Sequence, residues 1–319
     1  MKRYNNLFEK VCSMENLELA DMNARKGKKK KWGVVIHDRH REENLKNLQR
    51  QLLNGTFKTS EYHTMVVHEP KERLIYKLPY YPDRIVHHAI MNVLEPIWVG
   101  SMTADTYANI KGRGIHACSE NLKHVLYIDP KGTRYCLKVD IRKYYPSIDH
   151  ELLKKEVRRK IKDARLLALI DEIIDSEKGL PIGNYLSQYL ANVYLSNLDH
   201  RMKEVHRAPY YFPIRGRHGV PRGNKRGVEK VAFGVREGSF GIGTSSEGQL
   251  ADIPSGCERD RLSRVPFLSR SHARKEAHKA KDFQEAWAVE ERGYNIGDVR
   301  EVHGFLGRMA HVGRLTQTA

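Results

Sequence analysis

The sequence predicts an α+β body, in which helices back a small antiparallel sheet, followed by a tail that does not fold with it. Three observations carry that expectation. Apolar residues recur at helical spacing in three segments, three shorter segments alternate as strands, and glycine is spread unevenly along the 319 residues. Nine of the 24 glycines precede residue 213 and fifteen follow it, although the second part is about half as long. The tail is compositionally foreign to the body.

Taken in order, residues 1–60 read as a basic helical extension. Within it GKKKKWG (27–33) reads as a flexible basic segment, a solvated linker or, as the alternative, a stretch that lies on a phosphate backbone. Residues 43–54 place Leu45, Leu48 and Leu52 on one helical stripe, and Gly55 follows as a stop. YHTMVVH (62–68) and RLIYKLP (73–79) are rich in β-branched and aromatic residues, so they read as two antiparallel strands. From 84 to 97 the spacing returns to helical, with Ile85, Ala89 and Val93 on one stripe and Pro96 near the end. IKGRGIH (110–116) is a glycine-flanked basic loop able to bring Lys111, Arg113 and backbone N–H groups onto phosphates.

The next stretch carries chemistry. YCLKVDI (135–141) alternates as a strand, with Leu137, Val139 and Ile141 on one face and Cys136, Lys138 and Asp140 on the other. A carboxylate therefore ends a strand opposite its apolar face. Pro146-Ser147 breaks the strand, and Ser147 or Asp149 caps a helix from about His150, which explains Asp149 better as a cap than as a catalyst. GLPIGNYLSQYLANVYLSNLDHRM (179–202) is a Gly/Pro turn feeding a long helix, with Leu186, Leu190, Val193 and Leu198 inward and Gln188 near its start.

A formal net charge of +17 points to a polyanionic partner, and nucleic acid is the commonest one. The four cysteines (Cys12, Cys118, Cys136, Cys257) show neither zinc spacing nor a disulfide framework. No stretch is long and apolar enough to span a membrane and the first ten residues lack an apolar signal core, so an intracellular protein is expected.

In their order along the chain, DRIVHHAIMNVLEPI, TYANIKGRGIHA, YCLKVDIRKYYPSID and GLPIGNYLSQYLANVYL resemble the fingers and palm of prokaryotic reverse transcriptases, relatives of group II intron, retron and diversity-generating retroelement enzymes. The resemblance covers roughly residues 1–212. It implies a right-hand polymerase fold with fingers at 61–134 and a palm at 135–212, whose antiparallel sheet is backed by helices. It implies that Asp140 is the catalytic carboxylate and binds two Mg²⁺ ions, and that Tyr145 lies under the sugar and rejects a 2′-hydroxyl. Arg73, Arg84, Lys111 and Arg113 would hold the incoming triphosphate. Pro181, Ile182 and Gly183 look like the turn that backs the base pair, with Gln188 beside them among the substrate-binding positions. IGNYLSQ looks most like the diversity-generating form. The implied partners are template RNA, a DNA or RNA primer, dNTPs and a small basic accessory protein, in the cytoplasm of a bacterial or phage-encoded system.

Joining a 3′-hydroxyl to an α-phosphate takes two metal ions about 4 Å apart, and one carboxylate does not hold both. The family supplies the others from a Tyr-x-Asp-Asp hairpin soon after the long helix. Here the aromatic lead-in Tyr210, Tyr211, Phe212 is present, and PIRGRHGVP follows in place of the acids. Written as degenerate codons and read one nucleotide later, residues 213–221 can spell Arg-Tyr-Ala-Asp-Asp-Met-Val-Phe. The sequence thus reads as frameshifted just after Phe212, with 213–319 an out-of-frame, unstructured tail and the sheet short of its central hairpin. The expected function is that of an RNA-directed DNA polymerase family member that is inactive as written. The alternatives are a non-catalytic RNA-binding remnant of a retroelement and a natural variant with an Arg/Gly-rich RNA-binding tail.

Overall fold

The computed structural model describes residues 2–68, 72–133, 135–141, 143–214, 217–222 and 294–298. In chain order the elements are α1 (Phe8–Cys12), α2 (Met14–Ala24), α3 (Trp32–Arg39), α4 (Arg41–Leu53), β1 (His63–Val67), β2 (Arg73–Lys77), α5 (Ile85–Val99) and α6 (Ile115–Ile128). They continue as β3 (Tyr135–Asp140), α7 (His150–Arg158), α8 (Ala164–Ile174), α9 (Tyr185–Glu204), β4 (Phe212–Ile214), β5 (Arg217–Arg222) and β6 (Tyr294–Asp298). Helices and two antiparallel sheets make the chain α+β, as the patterning predicts. Described residues within 1–104 and 143–200 form one compact unit; those within 105–142 and from 201 onward form a second.

In the first unit α1, α2, α4 and α5 share an apolar core. Leu45, Leu48 and Leu52 are buried as the stripe predicts, and the chain turns at Gly55. On α5, Ile85 and Ala89 are buried but Val93 is only half-buried; Val86, Ile90 and Leu94 widen the stripe. A 3.6-residue period drifts across a strict i, i+4 row, so a helix packed by several neighbours buries more than one row. The strands β1 and β2 pair antiparallel with His63 opposite Lys77 and Val67 opposite Arg73.

The basic run 27–33 is not a loose linker. The Lys28 and Lys31 amides donate to the Arg25 and Lys28 carbonyls at 2.9 Å each, and Lys31 precedes the first turn of α3. The burial of Val34 and His37 pulls α3 inward. Beneath it the buried Asp21 carboxylate accepts from Arg25 (2.7 and 2.8 Å), Arg41 (2.6 Å) and the Tyr80 hydroxyl (2.5 Å). Burial pushes that carboxyl upward, but these hydrogen bonds outweigh it and hold Asp21 below the usual carboxylate range.

In the second unit a four-stranded sheet runs in the order β4-β5-β3-β6, all pairs antiparallel. The helix α6 lies on it through Cys118, Leu122, Val125 and Leu126, packed with Tyr107 and Phe212. At the described residues 213–214, 217–222 and 294–298 this differs from an unstructured tail and from an unfilled sheet. A β4–β5 hairpin follows Phe212, and β5 and β6 flank β3 on its two sides. A strand in the middle of a sheet needs partners for its backbone N–H and C=O groups, and the buried Val220 gives β5 an apolar anchor. The remaining tail lies outside the described residues. No described helix is long and apolar enough to cross a membrane.

Candidate functional site

The first unit builds a rigid turn at 179–184. Gly179 sits at φ +66° with its missing Cβ position 2.6 Å from the Tyr145 carbonyl oxygen and 2.7 Å from that of Pro146. The Leu180 amide donates to the same Tyr145 oxygen at 2.9 Å. Only a residue without a side chain lets these backbones meet. Gly183 repeats the device at φ +122°, where a Cβ would lie 2.5 Å from the Tyr76 carbonyl oxygen. There the Tyr76 amide donates to the Ile182 carbonyl at 2.8 Å, so the turn is tied to β2. Further ties come from the Asn184 amide to the Tyr62 hydroxyl (3.2 Å) and from His150 Nε2 to the Gly179 carbonyl (2.8 Å).

The structure thus joins Tyr145 to the Pro181, Ile182 and Gly183 turn. Pro181 is buried, Ile182 and Tyr145 are half-buried, and Gly183 is exposed. The Tyr145 ring meets the buried Tyr144 ring edge-on at 5.5 Å, and the Tyr144 hydroxyl donates to the Ala191 carbonyl on α9 at 2.5 Å. Leu186, Leu190, Val193 and Leu198 are buried on α9, with half-buried Gln188 in its first turn. Asp149 is the cap it resembles: its carboxylate accepts from the Leu152 amide at 2.9 Å.

Two expected phosphate ligands also lie in this unit. Arg73 is exposed at the far end of β2, about 10 Å along the strand from Tyr76. Arg84 is half-buried, and its Nε donates to the Leu78 carbonyl at 3.3 Å. No carboxylate pairs with it among the described residues. Burial lowers the Lys28 pKa and Arg84 lowers it further. Burial, then Lys28, Lys26 and Arg84, take His88 down to about 4. Arg84, Lys28 and Lys26 thus lie near enough to one another and to His88 for their positive charges to act on these groups.

Lys111, Arg113 and Asp140 belong to the second unit. Lys111 is exposed and Arg113 half-buried around Gly112, which sits at φ +76°; Gly114 then caps α6 in an extended conformation. The backbone of Asp140 ends β3, as the alternation predicts, and in the sheet register it stands opposite Arg217. The hairpin offers no acid to join it, since residues 205–228 contain neither Asp nor Glu. Within the hairpin His218 is buried and stacks on Tyr211 (centroids 5.6 Å apart), whose hydroxyl meets His218 Nδ1 at 2.7 Å. No group of three His, Cys, Asp or Glu suited to a metal occurs among the described residues.

Sequence reasoning missed Gly179, Tyr76, Tyr62 and His150 as the parts that hold the turn. The glycines bounding GLPIG were the available signal; the partners, 29 or more residues away, left none.

Comparison with known proteins gives relatives of which several are named as intron proteins. Protein YkfC of Escherichia coli (strain K12) is 27% identical over 174 residues, covering 50% of this chain and 45% of its own. Group II intron-encoded protein LtrA of Lactococcus lactis subsp. cremoris is 25% identical over 171 residues, covering 50% and 28%. The putative COX1/OXI3 intron 1 protein of Saccharomyces cerevisiae is 22% identical over 173 residues, covering 50% and 20%. The chain spans less than half the length of these relatives. No family profile matches it.

Proposed function

We propose that the chain is the fingers and palm portion of an RNA-directed DNA polymerase of a retroelement, read out of frame after Phe212 and without polymerase chemistry as written. Similarity to group II intron-encoded proteins supports the reverse-transcriptase family. The observation that carries the finer reading is the register of β3. A hairpin follows the long helix where Tyr-x-Asp-Asp is expected, and it sets an arginine, Arg217, opposite Asp140.

In an intact enzyme two Mg²⁺ ions would activate the 3′-hydroxyl and steady the leaving pyrophosphate. The residues present do not fit them. The strand β3 ends on a single acidic position, paired in register with Arg217, and the hairpin sequence adds no acid. What this chain's own residues do is bind and orient. On this reading Arg73 and Arg84 of the first unit, and Lys111 and Arg113 of the second, would each contact phosphate of the dNTP, while Tyr145 would bear on the sugar. Pro181, Ile182 and Gly183, held rigid by the backbone contacts at Gly179 and Tyr76, back the base pair beside Gln188. The form IGNYLSQ supports the diversity-generating group, whose enzymes work with a small basic accessory protein; the intron-encoded relatives bear on the family and not on this choice.

The test is to remove the proposed slip. A gene in which the codons after Phe212 are read one nucleotide later should yield a protein that incorporates dNTPs on an RNA template with Mg²⁺, and Asp140→Ala should abolish that incorporation. The chain as written should bind a primed RNA template and extend nothing. Extension by the unaltered chain, or an inert frame-restored protein that is folded, would overturn the proposal. If the slip is a true mutation, the unaltered chain is the RNA-binding remnant.

A further inference from the structure

The helix α7 carries a second electropositive surface. Its apolar stripe, Leu153 and Val157, is buried, which turns Lys154, Lys155, Arg158 and Arg159 away from the core. They form two i, i+4 rows, Lys154/Arg158 and Lys155/Arg159, each pair about one helical turn of 5.4 Å apart. Like charges in such rows repel, which neighbouring carboxylates offset in part.

A distant segment adds to them. The Tyr4 amide donates to the Lys160 carbonyl at 2.7 Å and the Lys162 amide to the Tyr4 carbonyl at 2.8 Å. The Leu7 and Phe8 amides donate to the Asp163 carboxylate at 2.7 and 2.9 Å. These bonds pin the N-terminal arm across the end of α7 and bring in Arg3, whose guanidinium reaches the Ile161 carbonyl at 3.4 Å. Arg3, Lys154, Lys155, Arg158, Arg159 and one acid, Glu151, line an open groove of about 510 Å³.

Part of that charge is steadied without being used up. Lys154 is held by Glu151 (3.2 Å) and Asp175 (2.8 Å), Arg159 by Glu156 (3.1 Å) and Arg158 by Asp171. An arginine so held still has N–H donors left over. Lys155 is exposed and makes no ion pair among the described residues. No apolar side chain lines the groove, so it offers no pocket for the anchoring residue of a peptide. A phosphate backbone needs none, because its affinity comes from cations set along a track.

We propose that this groove docks the phosphate backbone of RNA, using none of the substrate-binding residues assigned above. The choice of RNA rests on the proposed function. The assay is binding of a labelled RNA stem-loop to the full chain over a range of KCl concentrations, for the unaltered protein and for Lys155→Gln combined with Arg3→Gln. The variant should bind more weakly, with a salt slope shallower by roughly two, about one for each phosphate-binding cation removed. If Arg3→Gln loosens the arm and lowers the melting temperature, Lys155→Gln alone decides, with the slope expected to fall by roughly one. Equal affinity and slope in a protein that binds RNA would overturn the groove and leave the polymerase reading standing. No RNA binding by the unaltered chain would overturn both. Loss of binding to polyglutamate with RNA binding unchanged would mark the groove as a site for acidic peptides and overturn it as well.

Discussion

GLPIGN and IKGRGIH look alike as sequence: each is a short loop with two glycines, set before a helix. The structure makes them opposites. At Gly179 and Gly183 a Cβ would strike backbone oxygen atoms 2.6 and 2.5 Å away, whereas at Gly112 and Gly114 nothing lies within 4 Å. The first pair lets chain segments touch, so its geometry is set by packing. The second pair leaves open space beside Lys111 and Arg113, which the protein itself does not fill. A glycine in a loop is thus evidence of close approach, and the atoms around it tell whether the approach is internal or external.

The largest test of this contrast is Gly179→Ala. The new methyl would meet the Tyr145 and Pro146 carbonyl oxygens and carry a left-handed φ of +66°. Overpacking and backbone strain together are expected to cost on the order of 3–5 kcal/mol, enough to unfold a marginal domain. Denaturant melts should show it. A loss below roughly 1 kcal/mol would mean that the turn yields and is not rigid.

Acid should produce the next largest effect, and it compares the two units directly. Each holds a buried histidine whose Nε2 has no partner among the described residues: His87 in the first, His218 in the hairpin of the second. Burial lowers His87 to about 3 and His218 to about 4, whereas an unfolded imidazole titrates near 6.5. Between those values the unfolded chain binds more protons than the folded one, so stability falls as pH drops below about 6.5. The expected loss by pH 4.5 is on the order of a few kcal/mol, read as a falling melting temperature. His218→Gln should flatten the second unit's share of that slope. A profile flat between pH 7 and 4.5 would contradict the burial of both rings.

How much of this was legible follows the range of the interactions. The stripes Leu45/Leu48/Leu52 and Leu186/Leu190/Val193/Leu198, the β1–β2 pair and the Asp149 cap rest on neighbours in sequence, and each lies where the pattern puts it. The ordering of 27–33 did not show, because the chain there packs against a residue far along the sequence: a Cβ at Gly33 would lie 3.0 Å from the Tyr80 Cβ. Nor did the arm at Tyr4, which pairs with residues some 156 positions on. The strand at Arg217–Arg222 was hidden for a different reason: Gly219 and Pro221 read as breakers, and its pairing with β3 is a tertiary gain that local propensity does not contain. At the candidate site the turn and the strand-end carboxylate were legible, and the cation set opposite Asp140 was not.

Gly114→Ser gives the smallest effect and the finest distinction. Gly114 caps α6 at φ −177° and ψ −173°, extended backbone that any residue adopts, and it has open space around it. A serine hydroxyl there accepts from the amides of His116 or Ala117, so the helix should gain a few tenths of a kcal/mol. Those amides are also the donors a phosphate would take at this loop. If IKGRGIH is an external anion site, the substitution should raise the melting temperature slightly while weakening protection by tripolyphosphate. If both rise together the loop is an ordinary helix start, and the contrast with Gly179 reduces to packing alone.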